Sequence, residues 1–155
     1  MRIAIYHPQL SVLGGGESVA LTLASFLSKQ HEVELYNVDS PGKDALENFF
    51  SIALKSVKFR TLFEWQLIKS IPTISTYKSS LYLKSIRALN NFDLVIDTGT
   101  NGWFTKKIEP KTICYVHFPV FPALKTGIKS VTNFLLVKPE QAFQYDVILT
   151  NSNFT

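Results

Sequence analysis

The chain of 155 residues is 46% hydrophobic and 18% charged, a balance that excludes a disordered chain and suits one domain with a substantial buried core. A net charge of +4 favours phosphates and anionic surfaces, but the lysines are scattered rather than gathered into a block, so no nucleic-acid partner is expected. One cysteine, Cys114, leaves no internal disulfide framework, and with three dispersed histidines it offers no metal-ligand spacing, so neither a metal nor a resident cofactor is expected.

Residues 2–7 read as an apolar strand, 17–29 as an amphipathic helix and 32–38 as a second strand, which is βαβ order. In the helix Ala20, Leu23, Ala24 and Leu27 recur at the spacing of one buried stripe. After the turn-rich Asp39-Ser40-Pro41-Gly42, residues 43–50 read as a short helix and 57–59 as a short strand. Residues 60–76 mix apolar positions with Pro72 and hydroxyls and define no single face, whereas 77–89 form another helical stripe through Tyr77, Leu81, Tyr82, Ile86 and Leu89. Three further strands follow, over residues 93–97, 112–116 and 146–150.

No apolar run reaches the roughly 18 residues of a membrane-spanning helix, and His7-Pro8 interrupts the N-terminal apolar segment too early for a signal peptide. A cytoplasmic protein is expected. The basic balance and the 12 Phe, 6 Tyr and 2 Trp leave room for a peripheral place at the cytoplasmic face of a membrane.

The run Gly14-Gly15-Gly16-Glu17 lies at a strand-to-helix turn. Three glycines allow positive φ angles and bare amides close to a ligand, and the following helix aims its positive end at the same point. A glycine cluster after a first strand also serves merely to turn the chain tightly. The run is neither G-x-G-x-x-G nor a Walker A loop with its lysine, which argues against a dinucleotide site of the usual kind and against a P-loop NTPase. Glu17 complements the helix dipole with or without a ligand.

Alternation of strands and helices predicts a three-layer, Rossmann-like α/β domain with a mostly parallel sheet. In such sheets ligands bind beyond the carboxyl ends of the strands, so the loops after His7, Asp97 and Val116 should gather on one edge. That makes His7, Asp97, Thr98, Asn101 and His117 candidate site residues beside Gly14, Gly15 and Gly16. Asp97, Thr98 and Asn101 also suit turn closure and helix capping, and His31 reads as a turn residue.

The ordered motifs resemble the N-terminal domain of the family 4 glycosyltransferases, which have the two-domain GT-B fold. Ile5-Tyr6-His7-Pro8, the glycine run, Ala24-Ser25-Phe26-Leu27 and His31-Glu32-Val33-Glu34-Leu35 resemble the family's opening. Tyr115-Val116-His117-Phe118-Pro119, and residues 146–150 followed by Asn151-Ser152-Asn153-Phe154-Thr155, resemble segments of the dolichol-linked mannosyltransferase branch. Gln30 replaces the family's usual glycine before the histidine, and residues 59–80 match nothing in the family pattern.

The resemblance implies that residues 1–155 are the acceptor-side half of a retaining enzyme. Its substrates would be a nucleoside-diphosphate sugar, mannose leading, and a glycan or polyprenyl-linked acceptor of the lipid-linked or envelope kind. It implies a C-terminal nucleotide-sugar domain beyond these residues, without which the chain should not catalyse transfer. It also implies that Gly14, Gly15 and Gly16 face the donor diphosphate, that His117 acts near the reaction centre, and that His7, Asp97, Thr98 and Asn101 touch the acceptor or sugar. The alternative from another class is a non-catalytic Rossmann-like module that binds a phosphorylated ligand or a protein partner.

Overall fold

The computed structural model describes residues 1–37, 39–61, 87–99, 108–116 and 145–150. The elements are β1 (Arg2–Tyr6), α1 (Gly15–Leu27), β2 (Glu32–Asn37), α2 (Lys43–Phe50), β3 (Val57–Thr61), β4 (Leu94–Asp97), β5 (Lys111–Val116) and β6 (Val147–Thr150). They build one six-stranded sheet of order β3-β2-β1-β4-β5-β6, and every neighbouring pair is parallel. The expectation of a mostly parallel, Rossmann-like sheet is met by one that is parallel throughout.

Strand alternation sorts the core into two layers. Ile3 and Ile5 of β1, Val33 and Leu35 of β2 and Ile96 of β4 meet Leu21 and Ala24 of α1 and Leu46 of α2 on one face. Ala4, Tyr6, Tyr36 and Val95 meet Leu89 and Phe92 on the other, where the Tyr36 and Phe92 rings cross edge to face at 5.8 Å. Burial on both faces explains why β1 reads as a nearly unbroken apolar run, whereas β2 carries the polar Glu34 and Asn37 into the buried sheet. Each fully buried leucine or isoleucine contributes roughly 1.5–3 kcal/mol.

Helix α1 starts at Gly15, two residues before the expected start, and ends at Leu27, two before the expected end. Its buried side chains are Glu17, Ala20, Leu21 and Ala24, with Leu23 and Leu27 packed at the margin of the core. The stripe is thus centred one position away from the one expected. Strand β3 runs on to Thr61, where its pairing with β2 lasts to Asn37. On the second face, residues 87–89 are helical and Leu89 is fully buried, which agrees with the end of the helix expected over 77–89. Residues 62–86 lie outside the described residues, as do Val38, Asn101 and His117.

Candidate functional site

The sheet order puts β1 at the centre, with β2 on one side and β4 on the other. The connections leave β1 in opposite directions, which opens a crevice beyond the carboxyl ends of β1 and β4. Three side chains meet there. His7, one residue past β1, stands on the α1 face because Ile3 and Ile5 do. Thr98, one residue past β4, follows Ile96 onto the same face, and Glu17 arrives from the first turn of α1.

His7 Nδ1 lies 2.9 Å from Thr98 Oγ1, and His7 Nε2 lies 3.1 Å from Glu17 Oε1. The other carboxyl oxygen of Glu17 accepts the Gly14 amide at 2.7 Å, so the side chain at the third helical position reaches back to the N-cap. Thr98 is tied to β1 by its amide, which donates to the Tyr6 carbonyl at 2.9 Å, and its hydroxyl stands 3.0 Å from the same carbonyl. His7, Glu17 and Thr98 are 6%, 7% and 0% exposed, so each hydrogen bond forms where water competes little.

Burial pushes His7 below the ordinary imidazole value, against the opposing bond and charge of Glu17. Burial also disfavours ionised Glu17, but bonds from its own amide, from His7 and from the Gly14 amide outweigh it and hold the carboxyl below its usual range. The resting pair is therefore neutral imidazole and carboxylate. Nε2–H then donates to Glu17, and Nδ1 accepts from the Thr98 hydroxyl. With a second proton on the ring, Nδ1–H donates to Thr98 Oγ1 and the hydroxyl turns to the Tyr6 carbonyl. Both states are satisfied by one hydroxyl rotation.

The glycine run works differently from the expectation of positive φ angles. Gly14 has φ −105°, and the left-handed residue of this loop is Leu13 at φ 56°. What Gly14 supplies is closeness, because a Cβ there would stand 3.0 Å from Glu17 Oε2. Around Gly15 a Cβ would meet nothing within 4 Å. The first amides of α1 precede the first intrahelical bond, from the Ser18 amide to the Gly14 carbonyl at 3.2 Å. Open space and an amide ahead of the first intrahelical bond coincide at Gly15.

Asp97 is 1% exposed and turns to the other face of the sheet, following Val95. Its Oδ1 accepts the Gly99 amide at 2.8 Å and its Oδ2 accepts the Tyr145 hydroxyl at 2.7 Å. It closes the turn after β4 and anchors Tyr145. Beside it, burial and the Asp97 charge push the Cys114 thiol up to about 12, consistent with an inert core thiol.

Thus the structure brings together His7, Thr98, Gly14 and Gly15 among the expected site residues, and sets Asp97 apart on the opposite face. Two contributors escaped sequence reasoning. Tyr145 gave no local sign of reaching Asp97, 48 positions away. Asn37 stands beside His7 on β2, fully buried, with Oδ1 accepting the Thr61 hydroxyl at 3.2 Å and Nδ2 without a hydrogen-bond partner. Its place at the carboxyl end of β2 was the available signal.

Among the described residues no group of three or more His, Cys, Asp or Glu side chains is placed to hold a metal ion, and no helix is long and apolar enough to cross a membrane. No protein-family model and no curated protein matches the chain.

Proposed function

We propose that the chain is the N-terminal, acceptor-side domain of a retaining family 4 glycosyltransferase of GT-B fold. It would move a sugar, mannose first among the candidates, from a nucleoside-diphosphate sugar to a lipid-linked or envelope glycan. The observation that carries this reading is the start of α1 at the switch point of an all-parallel β3-β2-β1-β4-β5-β6 sheet, with open space over Gly15. The buried, unpartnered amide of Asn37 in the same row adds a donor to that edge.

In this reading a C-terminal domain supplies most contacts to the nucleotide sugar. The amides of Gly15 and Gly16 donate to the diphosphate as the bond from the anomeric carbon to the phosphate oxygen breaks and negative charge collects on the leaving group. The acceptor hydroxyl bonds to the anomeric carbon on the face the diphosphate leaves, and its proton passes to a phosphate oxygen. Configuration is retained. His117, the next residue in sequence after β5, supports the charge developing on the sugar in this reading. His7 and Thr98 hold the start of α1 against β1 and β4, which fixes the donors before charge develops.

The test is a transfer assay on the intact gene product with a panel of nucleotide sugars and polyprenyl-linked acceptors. Transfer is expected with at least one pair. Gly15→Val, which crowds the amides, should lower kcat/KM for the donor by roughly a hundredfold, and His117→Ala should lower kcat by a similar factor. Binding of a phosphorylated ligand without transfer to any acceptor would instead favour the non-catalytic module.

A further inference from the structure

The Glu17 carboxyl is bonded to the Gly14 amide at 2.7 Å, one residue from Gly15, and is 7% exposed. Among the described residues its only ion-pair partner is His7, at 3.1 Å. An anion seated on the Gly15 and Gly16 amides would therefore face a buried carboxylate whose only counter-charge is one imidazole able to take or give up a proton.

We propose that the His7–Glu17 pair makes this site take its anion together with a proton, which the imidazole of His7 receives; this rests on the reading that an anionic group sits on the Gly15 and Gly16 amides. The geometry removes the usual obstacle to charging a buried histidine. The Thr98 hydroxyl, 2.9 Å from Nδ1, has the Tyr6 carbonyl at 3.0 Å as its alternative acceptor, so the ring gains a proton without leaving any group unpaired. The proton comes from solvent to Nδ1, and the Nε2–H bond to Glu17 becomes an ion pair. The cluster passes from net −1 to neutral as the anion arrives, and the anion in turn favours the charged ring.

The other groups around His7 do not replace this role. From β2 the facing residue is Asn37, which is uncharged, while Glu34 and Tyr36 stand on the opposite face and bond each other at 3.2 Å. From the end of β4, Asp97 is turned away and held by Gly99 and Tyr145. From the loop after β2, Asp39 is engaged by the Ser11 hydroxyl of the loop after β1, and the backbones of Thr98 and Gln9 favour the charged ring. From α1 the only facing charge is Glu17.

The experiment follows the imidazole nitrogens of His7 by NMR in the intact protein, from about pH 5 to 8, without and with sulfate, an anion that does not itself titrate in this range. The proposal expects sulfate to shift the Gly15 and Gly16 amide signals, to raise the His7 midpoint by about one unit, and to bind about tenfold more tightly at the acid end. In Glu17→Gln, which removes the buried carboxylate, sulfate should bind near neutral pH about as tightly as it binds the unsubstituted protein in acid. Sulfate that shifts both amides and leaves the His7 midpoint in place overturns the proton coupling and spares the anion site. If neither amide responds, both fail. Should Glu17→Gln not fold, the titration of the unsubstituted protein decides alone.

Discussion

Gly14 and Gly15 are neighbours with opposite spatial demands. A methyl group on Gly14 would meet Glu17 Oε2 at 3.0 Å, and that oxygen cannot swing away without losing the Gly14 amide and disturbing the bond to His7. Gly14→Ala should therefore destabilise by about 1 kcal/mol, the usual cost of losing a cap. Gly15 has a free surround and is absent from the positive-φ positions, so Gly15→Ala should be neutral or stabilise by up to about 0.5 kcal/mol through the unfolded chain. Urea denaturation of the two variants checks the contrast. The pH dependence of stability follows from His7 and Glu17, both of which bind protons less readily folded than unfolded. For His7 the contribution is full above the unfolded value of 6.5 and is lost as pH falls through the lower folded value; for Glu17 it is full above 4.5 and lost further into acid. The urea midpoint should thus fall on acidification from about pH 7 to 5, and His7→Gln should flatten that slope; an unchanged slope in the variant would refute the assignment. At this scale the sequence marked His7, Thr98 and the glycines by position. It could not show that Glu17 partners His7, because a contact ten residues apart through a strand-to-helix turn depends on where the helix starts.

The elements were legible where hydrophobic period and length agreed, and less so at their ends. Strand β1 and helix α1 declared themselves by unbroken burial and by a helical stripe, yet α1 begins at Gly15 because the Gly14 carbonyl already accepts from Ser18. Glycines are poor helix interior residues, so propensity placed the start too late, and backbone geometry overrode it. Strand β3 ran two residues past its expected end because Arg60 and Thr61 pair with β2, where Arg60 Nε meets Glu34 at 3.1 Å and Thr61 bonds Asn37. Arginine does not announce a strand, and one threonine beyond it is too short a signal to extend one. Helix α2 ends on Ser51 in the left-handed region at φ 55°, a conformation that costs a serine about 1 kcal/mol and a glycine little. Ser51→Gly should raise stability by roughly 0.5–1 kcal/mol, read as a rise in Tm of about 1–4 °C in a domain of this size. A fall in Tm would mean that the serine side chain has a role at this cap.

For the whole molecule, alternation of strands and helices was enough to foresee a parallel sheet, since parallel neighbours need crossovers and strands buried on both faces need apolar runs. The order β3-β2-β1-β4-β5-β6 was not written in any segment, and it is the order that makes a site. It sets His7 between Asn37 and Thr98 and brings the start of α1 to the reversal point, so residues far apart in sequence share one edge. The pleat of β4, in turn, splits Asp97 from Thr98, adjacent in sequence, onto opposite faces. The central claim is that this edge receives the diphosphate of a nucleotide sugar through the first amides of α1. A crystal structure of the intact protein with a nucleoside diphosphate tests it most directly. The account predicts phosphate oxygens about 2.7–3.2 Å from the Gly15 and Gly16 amide nitrogens, in front of an undisturbed Glu17–His7 pair. Phosphates bound elsewhere, with nothing seated on those amides, would contradict it.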